Sequence, residues 1–160
     1  MTTVLIALDD SDEAHAAAVA AHRLFGDQAK YLAINVAPLP NPAETYAWGS
    51  VFGYPFPPVV PAVADEEYSG DVKVSARAEA AQLAAEVGLD DAQPLGDVGD
   101  PVDAIVEAAE EHRVDVIVAG YHERSFLARV FEPSVTNALI KRTSVPVMVV
   151  PTRTEGGERR

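Results

Sequence analysis

Short apolar runs alternate with amphipathic stretches along most of the chain. Val4-Leu5-Ile6-Ala7-Leu8 is continuous and stops at Asp9-Asp10-Ser11, the pattern of a strand buried on both faces and ended by a turn. From Ser11 to about Phe25, Ala14, Ala17, Ala18, Ala21, Leu24 and Phe25 recur on one side, so the spacing predicts a helix. Ser11 suits its N-cap, Asp12 and Glu13 favour its positive end, and Gly26 stops it. Tyr31-Leu32-Ala33-Ile34-Asn35-Val36 reads as a second buried strand. Ala76, Ala80, Leu83 and Val87 mark a second helix closed by Gly88. Ala92 to Leu95 is a weaker strand, which Pro94 assigns to a sheet edge.

Asp100-Pro101 opens a third helix, a cap followed by proline at the first helical position. Val102, Ile105, Val106 and Ala109 form its inner face. Val114 to Ala119 is the fourth strand, followed by Gly120; Pro133 to about Arg142 is the last helix, and Val145 to Val150 the last strand. Strands this apolar, separated by helices, belong to a parallel sheet covered on both faces. The fold class is therefore α/β: a single doubly wound domain with helices on both faces and right-handed crossovers. Five parallel strands in the order 3-2-1-4-5 place the first and fourth strands beside the switch point, where such sheets bind ligands beyond the carboxyl ends of the strands. Asp9 to Ser11 and the segment after Ala119 then face one another across that rim.

One stretch breaks the rhythm. Residues 38 to about 64 hold seven prolines, from Pro38 to Pro61, together with Tyr46, Trp48, Phe52, Tyr54 and Phe56. Proline at that density prevents a regular helix or central strand, whereas five aromatics exceed what a solvated linker carries. The insert leaves the sheet on the ligand side. It reads as a flap over the pocket, as an arm toward a partner, or as a loop packing its aromatics on its own domain.

Composition narrows the chemistry. Of 160 residues, 48% are hydrophobic and 23% charged, an ordinary globular balance, and there is no cysteine. Disulfides, thiolate metal sites and cysteine nucleophiles are thereby excluded. The 25 acidic residues outnumber the 12 basic ones, giving a net charge of −13. So acidic a surface repels nucleic acid and anionic membrane. Few lysines among many acids match either salt-rich cytoplasm, as in a halophile, or an acidic mesophile. The longest apolar runs are too short to span a bilayer, and the opening Met-Thr-Thr-Val-Leu-Ile lacks the basic region of a signal peptide. The expected location is the cytoplasm.

No P-loop, Gly-x-Gly-x-x-Gly fingerprint or Gly-x-Ser-x-Gly elbow occurs. His15 and His22 lie about 10 Å apart along one helix, too far to share a metal. His112 sits near a helix end, where a cation is favourable. The sequence points to no metal site and no catalytic residue.

Four stretches together resemble the universal stress protein family. They are Val4 to Ser11, Gly99-Asp100-Pro101, Val114 to Gly120, and Pro133-Ser134-Val135-Thr136 through Val145 to Val150. The resemblance covers residues 1 to 151 apart from the insert, with a tail at 152 to 160. It implies a fold like that of the adenine nucleotide alpha hydrolases and a homodimer paired through Val145 to Val150. It also implies a nucleotide pocket, in which Asp9 and Val36 would lie against the adenine and Gly120 near the ribose. ATP-binding members carry a glycine, two residues, a second glycine, nine residues, then a third glycine followed by Ser or Thr. Here Gly120 and Ser134 are kept, but Glu123 and Pro133 stand at the second and third glycine positions. Pro133 has no N–H to offer a phosphate, and Glu123 adds a like charge. His122, Arg124, Ser134 and Thr136 complete the candidate cofactor-binding set.

The resulting reading is a non-catalytic stress-response or signalling module with weak or no ATP binding, requiring no cofactor and serving an unidentified protein partner. Two alternatives stand beside it: an ATP-binding switch of the same family, and a small enzyme with an aromatic flap. The surviving residues have ordinary structural readings too. Ser134 and Thr136 suit a helix start, and Asp9 suits a turn.

Overall fold

The computed structural model describes residues 1–38, 66–121 and 135–152, with the backbone alone at 66–68. Among these residues nine elements alternate: β1 (Thr3–Ala7), α1 (Asp12–Phe25), β2 (Lys30–Ala37), α2 (Glu66–Glu86), β3 (Gln93–Val98), α3 (Pro101–Glu111), β4 (Val116–Tyr121), α4 (Val135–Arg142) and β5 (Val147–Pro151). All strand pairs are parallel, as the apolar rhythm predicts, and the order is the expected β3-β2-β1-β4-β5. Among the described residues no helix is long and apolar enough to cross a membrane.

The helices divide between the two faces as right-handed crossovers require. On one face α1 and α2 pack against Val4, Ile6, Tyr31, Ala33 and Val118. On the other, α3 and α4 cover Leu5, Leu32, Ile34 and Ile117. The alternation of side chains along each strand sends odd and even positions to different layers. Leu5, Ile6, Leu32, Ile117 and Leu139 are fully enclosed. Truncating any of them to Ala would cost about 2–5 kcal/mol.

The caps are those expected. Ser11 Oγ accepts from the Ala14 N–H at 3.2 Å, and the Asp100 carboxylate accepts from the N–H groups of Val102 and Asp103, each at 2.9 Å. α1 ends at Gly26, whose N–H donates to the His22 carbonyl. The inward arc of α1 is narrower than predicted: Ala14, Ala17, Ala18 and Ala21 are buried, but Leu24 is 62% exposed. Phe25 lies nearer the centre of that arc and packs inward in its place.

Element boundaries differ in several places, and α2 starts at Glu66, well ahead of Ala76. β3 runs to Val98 rather than stopping near Leu95, because its register with β2 continues from Leu32 opposite Gln93 to Ala37 opposite Val98. β4 includes Gly120 and Tyr121, and β5 begins at Val147 rather than Val145. The insert beyond Pro38, the start of the last helix at Pro133 and the tail beyond Thr152 lie outside the described residues.

Candidate functional site

The carboxyl ends of β1, β2 and β4 form one rim. Ala7 stands opposite Ile34, which carries Val36 to the same level as Asp9, and Ile6 stands opposite Val118, two residues before Gly120. Three of the candidate residues therefore converge on the switch point, and Thr136 joins them through a hydrogen bond. His122, Arg124 and Ser134, with the substituted pattern positions Glu123 and Pro133, lie outside the described residues.

Asp9 is exposed, and its carboxylate turns inward on the chain. Oδ1 accepts from the Ser11 N–H at 3.1 Å and from the Ser11 hydroxyl. That hydroxyl accepts in turn from Ala14 N–H, so Asp9 and Ser11 form a short relay that fixes the start of α1. Gly120 lies directly beneath the same helical turn: a Cβ added there would come within 2.5 Å of the Glu13 carbonyl group. Only a residue without a side chain lets α1 sit this close to β4. The buried Thr136 hydroxyl donates to the Gly120 carbonyl at 3.0 Å, tying the first turn of α4 to the end of β4. Val36 is half-buried and packs on the α3 side of the sheet.

One residue of the rim is not apparent from sequence reasoning. Asn35 is buried, and its Nδ2 donates to the Leu8 carbonyl at 3.0 Å, while the Leu8 N–H donates to the Ile34 carbonyl at 2.9 Å. The signal for it is a single amide inside the apolar run Tyr31 to Val36. A polar side chain at such a place needs a partner, and here it holds the β1–α1 turn against β2.

Beside the rim, a cleft of about 780 Å³ opens between the β1–α1 turn and α2. Its floor includes Leu8 and Leu83; its charged lining is Asp9, Asp10, Asp12, Glu79 and Glu86. Among the described residues no Lys or Arg lines it. A polyphosphate entering on this side meets five carboxylates and the negative field they sum to. Among the described residues there is no group of three or more His, Asp or Glu side chains arranged to hold a metal ion.

The comparisons agree with this architecture. The sequence model of the Universal stress protein family matches residues 1–151. Universal stress protein MJ0577 of Methanocaldococcus jannaschii is 42% identical over 53 residues, a stretch that spans 33% of each chain. The solved structure of MJ0577 is similar with a TM-score of 0.64 at 21% identity, over 96% of this chain and 98% of that one. A universal stress protein in complex with cAMP gives a TM-score of 0.60 at 23% identity, covering 93% and 96% of the two chains. An Arabidopsis thaliana family member with AMP bound gives 0.59 at 16% identity, covering 98% and 95%. With the matched sequence running from the first strand through the last, the chain belongs to the universal stress protein family.

Proposed function

We propose that the protein is a non-catalytic stress-response module of this family, a cytoplasmic homodimer paired through β5, whose rim holds adenine nucleotides weakly or not at all. The observation that carries the reading is the occupation of its surviving site residues. The Asp9 carboxylate is engaged by Ser11, the Thr136 hydroxyl by the Gly120 carbonyl, and the space over Gly120 by the backbone of α1. The acidic cleft beside them adds repulsion. Glu123 and Pro133 remove two glycines from the pattern that presents backbone N–H groups to phosphates.

The family relatives with cAMP and AMP favour a second reading, a nucleotide-responsive switch. Calorimetric titration of ATP with Mg²⁺, and of AMP and cAMP, into stripped protein at low and at molar salt decides between the two. The module reading expects no binding tighter than millimolar; micromolar affinity for any of the three overturns it in favour of the switch. Glu123→Gly combined with Pro133→Gly is expected to strengthen ATP binding at least tenfold. An unchanged affinity counts against the account of that loop.

A further inference from the structure

The two edges of the sheet are built oppositely, and hydrogen-bond parity shows how. In a parallel ladder, successive residues point their N–H and C=O groups alternately toward the neighbouring strand and away from it. On β5, the Pro146 carbonyl accepts from Ile117 N–H, so even-numbered residues face β4 and odd-numbered ones face outward. Val147 and Val149 thus present complete donor–acceptor pairs along an apolar, β-branched edge, and Pro151 ends the row.

On β3, Gly99 N–H donates to the Ala37 carbonyl. Odd-numbered residues therefore face β2, and Pro94, Gly96 and Val98 face outward. Pro94 has no N–H. The Val98 N–H is taken by the neighbouring Asp97 carboxylate at 2.8 Å. Of these three only Gly96 has an outward N–H that no described residue caps, and it is bracketed by two positions that offer none.

A lysine crosses this same edge. Gly96 faces α2, since a Cβ there would strike the backbone of Lys73 and Arg77. Asp97, the next residue, points to the opposite, α3 side, where it shares a groove with Ala104, Glu107 and Ala108. Lys73 leaves α2 and still reaches Asp97 Oδ1 at 2.7 Å, so its side chain wraps the strand from one layer to the other. The bond to Asp97 holds the ammonium in its charged form, raising its pKa, with Glu107 contributing from α3.

We infer that Lys73 and Asp97 form a clasp that closes the β3 edge to strand addition and so confines pairing of this chain to its β5 edge. A charged side chain laid over an edge, a proline within it and a capped N–H are independent ways to deny a template to another strand. The clasp adds little to stability, because half-exposed ion pairs contribute modestly. Its effect is on which surfaces can meet. The closure of β3 stands independently of the β5 homodimer; only the choice of β5 as the remaining edge rests on that reading.

Sedimentation velocity across concentration tests this directly. The wild type is compared with a variant carrying Lys73→Met and Asp97→Ala. We expect the folded variant to form species larger than those of the wild type, with at least a fivefold greater mass fraction in them at the highest concentration. Equal distributions in the two folded proteins overturn the clasp. Should the double change fail to fold, Lys73→Met alone, at a half-exposed helical position, carries the comparison: no rise in larger species there overturns it too. The wild-type mass separately scores the β5 dimer, since a monomer would refute that reading while leaving the comparison of variant with wild type to judge the clasp.

Discussion

Gly96 and Gly120 stand in the same physical relation to different helices, yet the sequence invites opposite readings of them. Gly120 falls at the first position of a nucleotide-binding pattern, whereas Gly96 belongs to no motif. In the fold, each is the point where a helix backbone rests on a strand: α2 through Lys73 and Arg77 on Gly96, α1 through Glu13 and Ala14 on Gly120. The difference is location, because Gly120 lies at the ligand rim and Gly96 at a sheet edge. The lesson is that a glycine kept at a motif position is not evidence of a ligand while helix packing demands it equally. Alanine-rich α1, which buries only Ala14, Ala17, Ala18 and Ala21, follows from the same closeness.

The sharpest way to break the parallel is to add one methyl group at each site. Gly96→Ala and Gly120→Ala are both expected to lower unfolding free energy by about 3 kcal/mol, since backbone rather than a flexible side chain must yield. Urea denaturation measures this. A nearly neutral Gly120→Ala would mean that α1 can lift away and that the glycine answers to a ligand instead.

The next contrast concerns the bonds around the Gly120 crossing. Ser11→Ala removes the cap of α1 and the partner of Asp9, for an expected loss of about 1 kcal/mol. Thr136→Val removes the bond to the Gly120 carbonyl and should cost about as much. Double-mutant cycles between them test whether the two helix starts act separately, as residues without a shared partner should.

The smallest expected effect lies at the Gly96 crossing. Lys73 has its pKa raised above 10.5, chiefly by the hydrogen bond from its ammonium to Asp97, and Tyr31 is raised above 10.0, first by burial and then by Asp27. Both contributions are present in full below those reference values and are lost as pH rises through the higher folded values. Stability should therefore fall as pH rises past the reference values of 10.0 and 10.5, and Lys73→Met should flatten part of that fall. A slope identical in the variant would show that Lys73 is not coupled to folding.

Much of this fold is legible in the residue pattern because its information is local. Four of the five strands announce themselves as apolar runs, and Ser11 and Asp100 as caps, through interactions spanning three residues or fewer. What escapes is what the crossings decide. Gly96 and Asp97 have poor strand propensity and read as loop, but the ladder with β2 carries β3 through both. Lys73 and Asp97 are 24 positions apart, a separation at which no periodicity connects them. Leu24 fits the helical spacing and still faces solvent, because Phe25 fills the inward position. At the rim, Asp9, Val36, Gly120 and Thr136 lie at the carboxyl ends of the strands, but their hydrogen-bond obligations follow only from the close seating of α1 on β4 and of α4 behind it.

The amide of Asn35, bonded to the Leu8 carbonyl beneath the turn, has a kinetic consequence. It anchors the β1–α1 turn to β2, so lifting this side of the rim would break a buried hydrogen bond. Diffusion and charge then set the speed of encounter. With a net charge of −13, the chain holds anions off in dilute buffer and admits them faster as salt is added. Stopped-flow mixing with an anionic dye would read this out as an association rate that climbs with ionic strength.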